Sequence, residues 1–458
     1  MHRSQKKRSR VPVCLAAILA LLGAQMAVLP GVLSALEAPA NSYVSATVSG
    51  GVPSPTSALD SGDCALLIQM TGTFADGLGT FEILDPATAA PTRTYSNSEA
   101  VQYVVLPGGC DQEIDVTSEL SPAQSWDGAT GTGGVIFLGG STLNLEADID
   151  ASEAGFSSFD SVGAGCDGGS GQPQADSSMW SAGGGGGGVI GGGGGASGHI
   201  GNTDFATDST FDGSPGGGGT STTGGQGGEH GEGSAESSDT GGAPIQEHGV
   251  APDGGDAGCI GNGGSLDQSS FYTGFWSTGA GGGGGGSYGG GGAGCSARSS
   301  AAYAAGGGGG GSYTGGGAGG VGGTNTGAES VSPEENGIAG NSPLAAEIPD
   351  AAHFLNHDDP RLMMGGAGGA SFIGDGSSPQ NGGRGGGIVV LDFDSVVGAG
   401  GSVISNGGDG ATPPNFRDGA QLGSSGSGGG AGGQIAILAP TVSSLNVSAV
   451  GGIGGDAV

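Results

Sequence analysis

Lysine is absent beyond Lys7, and only Arg93, Arg298, Arg361, Arg384 and Arg417 carry fixed positive charge after the first ten residues. They face 43 acidic residues, and the formal net charge is -33. Phosphate recognition needs clustered Lys or Arg, so nucleic acid and anionic membrane surfaces are poor partners. Aromatics make up 5% and hydrophobic residues 34%, too little for an ordinary large core along the whole chain. No strict Gly-X-Y period occurs, which excludes collagen. No helical period of useful length appears, leaving strands and turns as the ordered elements. No CxxC pair is present to hold zinc, and no G-K-[ST] loop to hold nucleotide phosphate.

The basic residues at the start have a use. Arg3, Lys6, Lys7, Arg8 and Arg10 precede an apolar run over 11–36, and Ala38-Pro39-Ala40 offers a small-x-small cleavage site. That is the layout of a secretory signal, read here as 1–40. If retained, the run is long enough to span a bilayer, so a membrane anchor is the alternative. Cys14 lies inside it, too early for a lipoprotein cleavage box. Either way the bulk of the chain is expected to be extracellular or at the cell surface.

Residues 41–62 are rich in Ser, Pro, Ala and Val and read as a linker. From Asp63 the texture changes to short apolar runs at 64–70, 79–84, 100–107 and 113–116, separated by turn residues such as Asp85-Pro86 and Pro107-Gly108-Gly109. A pattern then recurs: Gly133-Gly134-Val-Ile-Phe-Leu138, Gly386-Gly387-Ile-Val-Val-Leu391 and Gly432-Gly433-Gln-Ile-Ala-Ile437, each leading through further strand-like segments to a glycine pair or a single glycine. One such unit cannot bury its apolar face alone, so the copies are expected to stack as rungs of a solenoid-like structure. The expected class is all-β: a β-rich domain with the first copy at 63–162, a glycine-rich region at 163–383, and strand repeats at 384–458.

Glycine supplies 113 of 458 residues, against a usual share of about 7%. Its densest stretch, 278–324, holds two near-copies in which a glycine run is capped by Ser287-Tyr288 or Ser312-Tyr313 and followed by a second run. Glycine has no side chain to bury and loses much backbone entropy on ordering, which favours a flexible linker. Against this, a structureless interval of such length between copies of one stack is unusual. Extended glycine chains can instead lie side by side, as in collagen, where only Gly permits close backbone contact.

The segments GGGGGGSYGGGGAG and GGGGGGSYTGGGAGG resemble the glycine-rich region of the receptor kinases anaplastic lymphoma kinase and leukocyte tyrosine kinase. That resemblance implies left-handed polyglycine helices packed as a bundle. No kinase or receptor span follows, so signalling is not implied. The wider arrangement is similar to large exported bacterial glycine-rich surface proteins. Its carriers are Trp126-Asp127-Gly128-Ala-Thr-Gly131 with Gly133-Gly134-Val135, then Asp148-Ile-Asp150-Ala-Ser152, and Ser405-Asn406-Gly407-Gly408.

Candidate chemistry is sparse. Cys64 and Cys110 flank the small β segment and form the expected disulfide; among Cys166, Cys259 and Cys295 one further bridge is available. His353 and His357 stand four apart beside Asp358 and Asp359, but Pro360 follows at once and the zincin glutamate is missing, so a solvated loop is the reading. Gly285-Gly-Ser287-Tyr-Gly289 matches a nucleophile elbow only through composition, with no strand before Ser287. Calcium is the one cofactor considered. Asp148, Asp150, Asp409 and Asp456 are its candidate ligands, the last within Gly451-Gly452-Ile-Gly454-Gly-Asp456. Otherwise these carboxylates form a solvated anionic surface. Phe271, Tyr272, Phe275 and Trp276 form the candidate contact patch, with burial against the glycine region as the alternative.

The expected protein is therefore a secreted or cell-surface structural or adhesive one without catalytic activity. Its partners would be a surface glycan, a protein, or itself. The alternatives are a polysaccharide- or ice-binding protein, whose glycine bundle would resemble that of snow-flea antifreeze proteins, and a calcium-stabilised adhesin. A packed glycine region predicts slowly exchanging Gly amides across 281–317. Hydrogen exchange that finds none protected there decides for the linker.

Overall fold

The computed structural model describes residues 36–71, 77–157, 361–368, 381–412 and 427–455, together with four short strands between them. Every regular element among the described residues is a strand. In chain order these are β1 (Leu36–Glu37), β2 (Ser42–Ser49), β3 (Val52–Pro55), β4 (Cys64–Gln69), β5 (Phe81–Leu84), β6 (Val101–Leu106), β7 (Glu113–Val116), β8 (Val135–Leu145) and β9 (Ile149–Asp150). The short strands β10 (Gly198–Ile200), β11 (Ser277–Gly279), β12 (Tyr303–Ala304) and β13 (Gly323–Thr324) follow. Last come β14 (Ile388–Gly398), β15 (Ser402–Ile404), β16 (Gln434–Leu438), β17 (Thr441–Ser443) and β18 (Asn446–Ser448).

The three sequence copies pair with one another in parallel. Ile388 of β14 lies opposite Val135 of β8 on one side and Gln434 of β16 on the other, so the Gly-Gly strand starts are in register. The follow-on segments pair likewise, with β15 between β9 and β18. Parallel strands covered on both faces read as continuous apolar runs. Accordingly Val135–Leu138 and Ile388–Leu391 are buried throughout. At the far edge of this sheet, β7 pairs with the second half of β8, and β1 with β7.

Strands β3-β2-β6-β4-β5 make an antiparallel sheet in that order. Its two central strands are buried on both faces, and the two-residue period sorts their side chains. Cys64, Leu66, Ile68, Val104 and Leu106 join the core shared with the parallel stack. Ala65, Leu67, Val101, Tyr103 and Val105 form a second cluster with Leu84 and Tyr95 on the opposite face. The disulfide Cys64–Cys110 closes this sheet at a Cα–Cα distance of 5.4 Å, inside the usual range.

Two expected boundaries need correction. Residues 41–62, expected as a linker, contain β2 and β3, and β2 is hydrogen-bonded to β6 from Ser42↔Val105 to Ser45↔Gln102. Composition misleads there because β2 is only half-covered and β3 is an exposed edge strand, where Pro is tolerated. The signal segment expected at 1–40 overlaps β1 at its end. Leu36 and Glu37 pair with Ile114 and Asp115, and Ala38 N–H donates to the Asp115 carbonyl. A cut at 38–40 would remove β1.

The glycine runs of 183–188, 191–195, 216–219, 281–292 and 306–317 lie outside the described residues. Around 281–292 and 306–317, however, β11 pairs in parallel with β12, and β12 antiparallel with β13.

Shorter glycine segments are described at 361–368, 381–387, 405–411, 427–433 and 449–455, in neither helix nor strand. They are joined by backbone bonds: Gly365 N to Gly386 O, Gly386 N to Ala431 O, Gly383 N to Gly428 O, Gly430 N to Gly408 O, and Gly452 N to Gly430 O. Each bond links different segments, so the ladder here is between chains of backbone with no side chain intervening. A Cβ on Gly433 would fall on the Gly387 carbonyl oxygen, and one on Gly385 would fall on that of Gly365. Gly433→Ala is therefore expected to cost about 3 kcal/mol or more, since backbone must separate to admit the methyl. Gly62→Ala, whose Cβ would meet only the Asp60 carboxylate at 3.4 Å, is expected to stay within about 1 kcal/mol. Chemical denaturation of the two variants checks the contrast.

Candidate interaction surface

Side chains of the antiparallel sheet cover the first copy. Asn41 Nδ2 donates to the Phe137 carbonyl at 2.8 Å, and Phe137 N–H donates to Asn41 Oδ1 at 2.9 Å. Gln102 repeats the device at Gly133, donating to its carbonyl and accepting from its N–H. The Tyr43 hydroxyl donates to Val135 O at 2.8 Å. Two amides and a phenol thus stand where a neighbouring strand would be, along the half of β8 that β7 does not reach. Sequence reasoning missed all three. Gln102 alone left a signal, as a polar residue inside the apolar run at 100–107.

The opposite end has no such cover among the described residues. The third copy, β16 to β18 with 449–455, carries Val442, Val447, Val450 and Ile453 at 47%, 52%, 57% and 67% exposure. Ile435, Ala436 and Ile437, equivalent to the fully buried Val389, Val390 and Leu391 of β14, are only half-covered. Residues 427–455 contain no Asp, Glu, Lys, Arg or His, although the chain around them is strongly acidic. The first two copies differ: Glu146, Asp148, Asp150 and Glu153 decorate one, and Asp392, Asp394 and Asp409 the other. An apolar, uncharged edge of this length on an acidic molecule is a candidate interaction surface.

The carboxylates proposed for calcium are placed singly. Asp148 Oδ1 accepts Ser402 N–H at 2.7 Å, Asp150 Oδ1 accepts Ser152 N–H at 2.8 Å, and Asp409 Oδ1 accepts Ile453 N–H at 2.9 Å. Asp148 and Asp409 therefore bridge one copy to the next, and Asp150 closes a local turn. Among the described residues no group of three or more His, Cys, Asp or Glu is gathered as a metal site. Asp456 lies outside the described residues, as do Cys166, Cys259, Cys295, Ser287, the His353–Asp359 cluster and the patch Phe271, Tyr272, Phe275 and Trp276. No described helix is long and apolar enough to cross a membrane.

Arg361 and Arg384 also serve the backbone. Arg384 donates to the carbonyls of Trp126 at 2.9 Å and Gly155 at 3.5 Å, and Arg361 to that of Leu78 at 3.2 Å. Trp126 is buried edge-on against Phe156, with ring centroids 5.7 Å apart. No protein-family model, curated protein or solved structure matches this chain.

Burial pushes the Tyr43 hydroxyl up to about 12, partly offset by the backbone N–H groups of Gln124 and Ala123. Tyr95 is raised by burial and then by the Glu82 carboxylate beside it, and Tyr103 by the same two causes. A raised folded value means the neutral phenol is favoured by folding. Its contribution is full below about pH 10, the ordinary tyrosine value, and is lost as pH climbs through the folded value. The protein is therefore expected to lose stability steeply above about pH 10. Glu37, lowered chiefly by the Thr117 hydroxyl, works in the opposite direction and weakens the β1 attachment as pH falls. Tyr43→Phe should cost about 1 kcal/mol at neutral pH and flatten the alkaline loss; thermal melts from pH 7 to 12 check both.

Proposed function

We propose that this is an exported, non-catalytic structural or adhesive protein built as a short solenoid. In this reading its glycine segments run as polyglycine-type helices, and it works as a stiff body. One observation carries the reading: several polar side chains at the copies are spent on holding the backbone of the same or a neighbouring copy. Asn41, Gln102 and Arg384 hold the first copy, Asp148 and Asp409 link adjacent ones, and Asn406 Oδ1 accepts both Ser448 Oγ–H and Val450 N–H. A catalytic site would leave such groups free to meet a substrate. The parallel register of the three copies supports the solenoid, since it lets each copy serve as template for the next. The inter-segment bonds at 361–368, 381–387 and 427–433 support the glycine arrangement.

Export is supported by the basic and apolar start and by the Cys64–Cys110 disulfide, which favours an oxidising compartment. The pairing of Leu36 and Glu37 with β7 supports processing at or before residue 36. A surface glycan or protein remains the proposed partner class, with calcium as a possible stabilising ion through Asp148, Asp150 and Asp409. The test is a broad hydrolase screen and a glycan array on the exported chain, with N-terminal sequencing and calcium titration alongside. The reading expects no turnover and a first residue no later than Leu36. Hydrolysis of any substrate would overturn it, and heat on adding millimolar calcium would add the ion to it.

A further inference from the structure

We infer that the described residues on either side of 158–360 are matched partners, which assemble and stay assembled without the chain that joins them. A break in that interval leaves one particle of two chains, the first flank ending at 157 and the second beginning at 361. The inference goes beyond the stiff-body reading above and does not depend on it.

The seam between the flanks carries it. The register of β8 with β14, from Val135↔Ile388 to Leu145↔Gly398, joins one flank to the other along its whole length. Beyond the strands, Ala151 N–H donates to Ile404 O and Gly387 N–H to Ala151 O, both at 2.8 Å. The segment 361–368 reaches the antiparallel sheet, where Leu362 N–H donates to Gly79 O and Arg361 to Leu78 O. The two roots of the interval are themselves bonded, Phe156 N–H donating to Gly365 O at 3.3 Å. Both of its ends are thus placed by the seam. A link between parts already placed contributes only loop-closure entropy, which grows slowly with length.

The flanks are unequal partners. A buried cluster around Leu67, Leu84 and Tyr103 is formed by the first flank alone, which also holds the Cys64–Cys110 disulfide. Among the described residues the second flank has no cluster of its own. Its Met364, Val390 and Phe393 belong to one buried cluster with Leu106, Phe137 and Leu143 of the first. The first flank is therefore a preformed template, and the second becomes ordered by pairing with it. Apart, β8 would present the edge Val135–Leu138 and β14 the edge Ile388–Leu391, both now buried. An open apolar strand edge takes a partner, and these two match in length and register.

The test keeps every residue and breaks one bond. The sequence is expressed in one cell as two chains, 1–249 and 250–458, the second behind its own copy of residues 1–35, with the unbroken chain as reference. The expected result is a one-to-one complex that persists on dilution to about 10 nM, with the amides of 388–391 as slow to exchange as in the unbroken chain. Val390→Asp, which sets a charge in the seam, should raise the dissociation constant about a hundredfold or more. The second chain made alone should show no protection at 388–391. Chains that separate overturn the inference, as does a complex that Val390→Asp leaves intact or in which 388–391 exchange freely. Protection of 388–391 in the lone second chain overturns the dependence on β8. None of these results touches the stiff-body reading, which concerns the unbroken chain and fails separately if its melt shows no cooperative transition.

Discussion

The parallel pairing of β8 with β14 is the constraint on which the other described elements depend. It joins segments far apart in sequence, and closing the interval from Leu145 to Ile388 costs of order 5 kcal/mol by the logarithmic loop rule. Burying Ile388, Val389, Val390, Leu391, Phe393 and Val396 returns about 1.5–3 kcal/mol each, an upper estimate because unfolded chains are partly collapsed. The pairing therefore outweighs the closure, and the long glycine-rich insertion is thermodynamically tolerable. Once Val135 and Ile388 are in register, β9 meets β15, β16 has a template, and the glycine segments flanking each strand are brought side by side. Asp148 to Ser402 and Asn406 to Val450 then bridge neighbouring copies without any adjustment of backbone.

Stacked copies have two ends, and the two are built differently. At the first, Asn41 and Gln102 use side-chain amides to reproduce the donor and acceptor of an absent strand, while Tyr43 supplies one more donor. A carboxamide suits this work because it has the geometry of a peptide group. The antiparallel sheet that carries these residues is itself fastened by Cys64–Cys110, so the cap and the stack share one core. At the last copy the amides are missing and the exposed side chains are apolar. Stacked repeats need a polar terminal cover for solubility, and at the first copy Asn41, Gln102 and Tyr43 supply it.

Much of this was legible in the sequence, for a definite reason. The Gly-Gly starts and the four-residue apolar runs behind them occur at matching offsets, and in a parallel stack the offset is the register. Strands β4, β5, β6 and β7 were legible from apolar runs between turn residues, and the disulfide from cysteines bracketing them. Other features left no readable trace. Ser42–Ser49 and Val52–Pro55 look like linker because one side of the sheet edge stays wet. Glu113–Val116 reads as part of the small β segment, but Ile114 and Val116 belong to the core of the stack. The faces of Cys64–Gln69 and Val101–Leu106 cannot be told apart by pattern, since both are buried. Glycine segments have no side chain to carry a period, so their bonding partners emerge only from the strands beside them.

The same accounting explains how so acidic a chain can stack at all. In a parallel register, like charges on successive copies would lie about 4.8 Å apart, the strand spacing, and repel without relief. The described copies avoid this. By the register, Ser402 of the next copy stands opposite Asp148, and opposite Asp392 stand Gly139 on one side and Leu438 on the other. The Asp148 carboxylate consequently meets a backbone N–H, of Ser402, where a second carboxylate would have been ruinous. In the third copy residues 427–455 carry no acid, and Asp456 follows them.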